Sequence, residues 1–180
     1  MDIFLQLIRP IAVLPIVAMG LTSPFVAQPS YEGLNAVHTA SAQEIQKEND
    51  ILLEQSGKID TYFKKRGMPL QGFGKKMVKE AKEHDLDWRL LPALAVQESS
   101  GGIQACRYNS YNVFGWDSCG THFKSYDDAI EVVARNLGGD NPNTSDYYSG
   151  ATESKLHSYN GSVVRTYEKE VFAKMEAIGE

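Results

Sequence analysis

Apolar side chains recur near the helical period along most of this chain, and the breaks in that recurrence divide it into elements. From Gln43 onward Ile45, Leu52, Leu53, Ile59, Tyr62 and Phe63 keep helical spacing until Gly67 and Pro69 end the run. A second helix is predicted from Phe73 to His84, with Phe73, Met77 and Ala81 on one stripe. Its lysines, Lys75, Lys76, Lys79 and Lys82, form a solvated face. A third helix is expected from about Trp88 to Ser100. Between Gly101 and Phe123 the period vanishes and Gly, Asn, Ser and Tyr dominate, the signature of a loop with room for a short hairpin. Ser125 then opens a fourth helix, with Asp128 three residues on as a capping partner. Ala129, Ile130, Val133, Ala134 and Leu137 give that helix its apolar face, and Gly138-Gly139 stop it. Residues 140–150 are a polar loop, and a short helix is expected around 151–158. A last helix from about Val164 to Ile178 sets Tyr167, Val171, Met175 and Ile178 on one side. The pattern predicts a mainly α domain over residues 43–180.

The first 42 residues differ in kind. Arg9 precedes a stretch, Ile11 to Ala27, without a charged side chain, which is the order of an export signal. Pro10, Pro15 and Pro24 punctuate it and disfavour a long straight membrane helix. Residues 1–27 are therefore expected to be a signal peptide or an N-terminal membrane anchor. Ala27 and Ala40-Ser41-Ala42 both offer small-residue cleavage patterns. Residues 28–42, rich in Pro, Ser, Ala and Gly, are expected to be a linker. Export places the domain in the periplasm, the cell envelope or the extracellular space. Cys106 and Cys119 are the chain's two cysteines. In an exported protein, a pair at this spacing predicts a disulfide across a loop of about 12 to 14 residues, worth roughly 3 kcal/mol.

With 180 residues the chain can hold one domain and a tail. Its net charge of −5 excludes nucleic acid as the main partner, since phosphate binding needs a basic surface. The same charge gives no electrostatic attraction to an anionic polymer, so polymer binding would need a groove. His84, His122 and His157 lack metal-ligand spacing, and neither a metal nor another cofactor is expected.

The third helix carries the most informative residue. Its apolar stripe runs through Leu91, Leu94 and Ala95, and the next position on that face is Glu98. A carboxylate thus stands where the pattern calls for a core side chain, in the last turn before Gly101-Gly102. Burial and the negative end of the helix dipole both disfavour its charged form and push its pKa up. A carboxylic acid that stays protonated can donate a proton to a leaving-group oxygen, as glycosidic cleavage requires. The plainer alternative is a glutamate satisfied by a nearby Arg or Lys.

The segment LLPALAVQESSGG, followed by YNVFGW and FKSYDDAI, resembles the core of bacterial glucosaminidase-type peptidoglycan hydrolases. It is also similar to soluble lytic transglycosylases, and both belong to the lysozyme-like superfamily. The resemblance covers roughly residues 85–178. It implies a lysozyme-like helical fold, a peptidoglycan glycan strand as substrate, and Glu98 as the catalytic acid with Ser99 beside it. Asn112, Phe114 and Gly115 match an Asn-x-Phe-Gly element that shapes the floor of the sugar groove. Tyr159-Asn160-Gly161 resembles the Tyr-Asn element that faces the acid in transglycosylases. The Gly-Leu-Met-Gln run found in many transglycosylases is absent, and the Ser-Tyr-Asp-Asp-Ala-Ile stretch favours the glucosaminidase pattern. Endo-β-N-acetylglucosaminidase-like hydrolysis of β-1,4 bonds is the first expectation, and lytic cleavage to an anhydro sugar the second. A non-catalytic glycan-binding module is the third.

Ser99, Tyr111, Asn112, Trp116, Tyr159 and Asn160 are the candidates for substrate binding, because sugar rings pack on aromatic faces and bond to amides and hydroxyls. Tyr111 and Trp116 serve a core equally well, and Phe114 is assigned to it. Tyr159 suits the sugar, the acid or the tying down of a loop. Among Asp117, Asp127, Asp128 and Asp146, Asp117 beside Trp116 is the best second carboxylate. Asp127 and Asp128 belong to a first helical turn. A substrate-assisted or lytic route needs no second carboxylate. A monomer is expected.

Overall fold

The computed structural model describes residues 31–180 apart from residue 110, with residues 31–40 described by backbone alone. The export segment expected over residues 1–27 lies outside the described residues. Residues 39–180 form one compact unit, and the described part of the preceding unit, residues 31–38, is helical. Six α-helices follow in order: α1 (Tyr31–Lys65), α2 (Gly74–Glu83), α3 (Leu90–Ser99), α4 (Tyr126–Gly138), α5 (Thr152–Leu156) and α6 (Tyr167–Gly179). A short 3-10 turn spans Trp116–Cys119, and a π-helical turn spans His157–Gly161. The described residues contain no strand. None of their helices is long and apolar enough to cross a membrane.

The centre of the unit is α3, whose residues from Leu90 to Ala95 are all buried. A helix apolar on every side needs cover on every side. It packs against α2 and, most extensively, against α6. Tyr167, Val171, Met175 and Ile178 form the buried face of α6, as their spacing predicts. Pro92 sits in the first turn of α3, where its missing N–H costs nothing. Ile59 and Phe63 of α1, Met77 and Ala81 of α2, and Ile130, Val133 and Leu137 of α4 complete the same core.

Local chemistry fixes the element ends. On α1, Asp60 Oδ1 accepts the N–H groups of Gly72 (2.8 Å) and Gly74 (3.0 Å), so one helix caps the next. Gly74 lies so close to α1 that a Cβ there would sit 2.5 Å from the Ser56 carbonyl oxygen. At the start of α4, Ser125 Oγ accepts from the Asp128 N–H at 3.1 Å, while Asp128 Oδ2 accepts from the Lys124 N–H at 2.9 Å. The helix ends at Gly139, whose φ of 86° is one that glycine adopts freely.

Four sequence expectations differ from the structure. Helix α1 begins at Tyr31, so most of the stretch assigned to a linker is helical. Residues 41–50 are all exposed, and Ile45 and Leu53, placed on an apolar stripe, are 61% and 62% exposed. The period there marks a helix but not a buried face. The hairpin expected within 101–123 does not form, because residues 117–119 adopt left-handed backbone conformations and asparagine side chains take the bonds a ladder would make. The last helix begins at Tyr167 rather than Val164, since turns over residues 162–166 separate it from the π turn that ends at Gly161.

Candidate active site

Glu98 lies in the last turn of α3, half-buried, and its carboxyl faces a cavity of about 560 Å³. Burial raises its pKa above the ordinary value, and the hydroxyl of Tyr167, which donates to Glu98 Oε1 at 2.5 Å, partly offsets the rise. No Lys, Arg or His of the described residues lines the cavity. The carboxyl therefore keeps its proton to higher pH than a surface glutamate, held in one orientation by a neutral donor. Tyr167 stays a donor: burial and the adjacent Glu98 push its own pKa far upward.

The cavity has a helical wall and a loop wall. On the helical side stand Glu98 and, from the π turn, Tyr159 and Asn160. The Tyr159 ring stacks on Tyr167 at 6.2 Å with the planes 9° apart, and its hydroxyl donates to the Phe114 carbonyl at 2.6 Å. It thus ties the helical wall to the loop. Gly161 brings the π turn close to α6, where a Cβ would displace the Glu168 carboxylate. Irregular π turns of this kind are frequent at functional sites.

On the loop side stand Gly115, Trp116, Asp117, Ser118 and Thr121. Gly115 has a φ of 61°, and a Cβ at that position would lie 3.0 Å from Glu98 Oε2. Glycine is required there both for the turn and for the carboxyl's space. Trp116 packs against Tyr148 (5.8 Å) and Tyr159 (5.7 Å) to make an aromatic corner. Asp117, Ser118 and Cys119 have φ values of 53°, 50° and 67°. Each non-glycine residue in this region costs about 1 kcal/mol, so the turn must be held from outside. The Cys106–Cys119 disulfide, with Cα atoms 5.8 Å apart, is one such hold. Asn112 is another: Nδ2 donates to the carbonyls of Trp116 and Thr121 (both 3.0 Å), and Oδ1 accepts the Trp116 N–H at 2.9 Å.

A third segment closes the cavity with Thr144 and Tyr148. Their loop hangs from two buried polar groups. Asn136 Oδ1 accepts from Thr144 Oγ1 (2.6 Å) and Asn141 Nδ2 (2.8 Å). Lys155, only 8% exposed, donates from Nζ to the carbonyls of Leu137 (2.5 Å) and Tyr148 (2.8 Å). Burial lowers its pKa, partly countered by Asp140.

The candidates from the sequence divide accordingly. Glu98, Trp116, Asp117, Tyr159 and Asn160 share the cavity. Ser99, Tyr111 and Asn112 do not line it. Ser99 follows Glu98 by one residue, about 100° around the helix. It is buried, donates to the Ala95 carbonyl (3.0 Å) and accepts the Gly102 N–H (2.9 Å), which closes the helix end. Tyr111 meets Tyr126 edge-on at 5.2 Å, away from the cavity. Asn112 is fully buried and acts through the loop backbone. Asp117 is exposed at the rim, where Oδ2 accepts from Thr121 Oγ1 at 3.2 Å. Tyr148, Thr144 and Ser118 escaped the sequence reading because they sit in aperiodic loops. Tyr167 was seen only as core, since apolar periodicity says nothing about a hydroxyl.

A second cavity of about 550 Å³ lies between α1, α2 and residues 86–88. Its carboxylates are paired, Glu48 with Lys82 at 3.1 Å and Asp87 with Arg89 at 2.6 Å. Burial raises the Asp87 pKa, but the guanidinium overrides it and leaves the carboxyl ionised. No known protein family, no curated protein and no solved structure matches this chain.

Proposed function

We propose that this protein is an exported, lysozyme-like enzyme that cleaves β-1,4 glycosidic bonds of peptidoglycan glycan strands, with Glu98 as general acid. The observation that carries this reading is a half-buried carboxyl of raised pKa, unpaired with any cation and fixed by Tyr167, at the wall of a cavity large enough for a sugar. A protonated Glu98 would give its proton to the leaving glycosidic oxygen. The bond to the anomeric carbon then breaks while the ring develops positive charge beside a site with no cation. Trp116, Tyr148 and Tyr159 offer faces to sugar rings, and Asn160, Thr144 and Ser118 offer polar contacts. Asp117 at the rim is the candidate second carboxylate. Glucosaminidase-like hydrolysis is preferred on the sequence pattern, and the disulfide fits an oxidising compartment outside the cytoplasm.

A zymogram on purified cell wall tests this, with wild type beside Glu98→Gln. Gln keeps the shape and can accept from Tyr167, but has no acidic proton to transfer. Clearing should fall by on the order of a thousandfold. Equal clearing by a folded variant would overturn the assignment.

A further inference from the structure

We infer that the Cys106–Cys119 bond is a positioning bond for the cavity rather than a staple for the helical core, so that the site is complete only when the pair is oxidised. The inference rests on the proposed cleavage site and adds its regulation. The disulfide joins Cys106, in the loop after α3, to Cys119, at the end of the 3-10 turn, and neither cysteine belongs to an α-helix of the core. What it holds is the run Asp117-Ser118-Cys119, three consecutive non-glycine residues with left-handed φ. That run lies within the loop wall, which contributes Trp116, Asp117, Ser118 and Thr121 to the cavity. Asn112 pins Trp116 and Thr121, the residues on either side. Between them, beyond the short 3-10 turn itself, lie the bond from the Gly120 N–H to the Asp117 carbonyl (2.7 Å), a long one from the Cys119 N–H to the Gly115 carbonyl (3.4 Å), and the exposed contact of Thr121 Oγ1 with Asp117 Oδ2 (3.2 Å).

Breaking the S–S bond would therefore leave the ends anchored and free the middle to return to ordinary backbone angles, which carries Asp117 and Ser118 away from their present places. Cys119 is exposed and Cys106 partly so, which makes the bond accessible to a small dithiol. In the exchange the dithiol closes to its own disulfide while the S–S bond opens to two cysteine thiols. Within a reducing compartment the chain would hold a folded core and an unfinished cavity; on export a disulfide donor, itself reduced to a dithiol as it takes the two electrons and two protons of the cysteine pair, would finish it.

The test uses the full chain in four forms: oxidised, reduced with dithiothreitol and alkylated, Cys106→Ser/Cys119→Ser, and Cys106→Ser/Cys119→Gly. Wall clearing is measured beside far-UV circular dichroism. Trp116 emission is followed in a Trp88→Phe background, so that a single tryptophan reports on the turn. Reduction and the double-serine variant should leave helical content intact, shift Trp116 emission to the red, and lower clearing by on the order of a hundredfold. Glycine at 119 tolerates the left-handed angle without a bond, so that form should recover part of the activity and of the Trp116 signal. Clearing by the reduced chain within about twofold of the oxidised one would overturn the inference. So would parallel loss of helix, or a glycine form no better than the serine form. If the oxidised chain clears no wall, the cleavage reading fails, while a Trp116 shift on reduction still supports a bond that positions the turn.

Discussion

The two walls of the cavity are built by opposite means. The helical wall takes its geometry from packing: α3 is buried on every side, α6 lies along it, and Glu98 and Tyr167 meet because their helices do. The loop wall is rooted in the core through Val113 and Phe114, but beyond them it takes its geometry from a few named groups: one disulfide, the amide of Asn112, and Gly115. The first sort of wall tolerates small changes, because many weak contacts share the work. The second depends on a few groups and should fail when one is removed.

Asn112→Ala should break that contrast most sharply. It removes three hydrogen bonds from a fully buried side chain, leaves the Trp116 carbonyl and N–H without that partner, and leaves the Thr121 carbonyl only its bond from Asn109 Nδ2. Stability should fall by about 3 kcal/mol, and cleavage by on the order of a hundredfold, with helical content retained. Circular dichroism beside wall clearing checks this, and a variant that clears normally would refute the loop wall's dependence on Asn112. Next comes Lys155→Met, which fills the same space but frees the Leu137 and Tyr148 carbonyls. The loop carrying Thr144 and Tyr148 should loosen, with a cost of about 2 kcal/mol and a roughly tenfold rise in KM at nearly unchanged kcat. A fall in kcat alone would contradict a positioning role.

Changes on the helical wall should be smaller in structure and visible through pH. Because the folded-state pKa of Glu98 is raised, the native state holds a proton that the unfolded chain releases, and wild-type stability falls as pH rises through that interval. Glu98→Gln removes the dependence. Its thermal midpoint should exceed wild type by about 2 °C at neutral pH and match it below 4.5, the ordinary pKa of the group. An equal difference at every pH would mean that the side chain is not titrating. Tyr167→Phe should have the least effect on fold and rate. Without the donor the Glu98 pKa rises further, so the alkaline limb of the pH–activity profile should move to higher pH. A shift to lower pH would contradict the hydrogen bond's direction.

The same division explains what the sequence disclosed. The helices, the Ser125–Asp128 cap, the Gly139 stop and the cysteine pair all follow from period and spacing. The position of Glu98 on an apolar stripe follows from the same rule, since helical geometry converts sequence distance into a face. Loop geometry has no such rule. Nothing in the spacing of Tyr148 or Thr144 says that Asn136 and Lys155 carry them to the cavity. The Asn112 amide faces the backbone rather than the cavity because two carbonyls and one N–H within nine residues compete for it. Helix α1 outruns its own apolar stripe, so its helical residues before Gln43 leave no amphipathic trace.

A proton held at Glu98 beside the cavity is what the proposed cleavage requires. Digestion of purified peptidoglycan followed by mass spectrometry of the soluble fragments tests it directly. Wild type should release glycan fragments, with masses that carry the elements of water for hydrolysis or lack them for lytic cleavage, and Glu98→Gln should release almost none. Fragments released at similar rates by both folded proteins, or by neither, would contradict it.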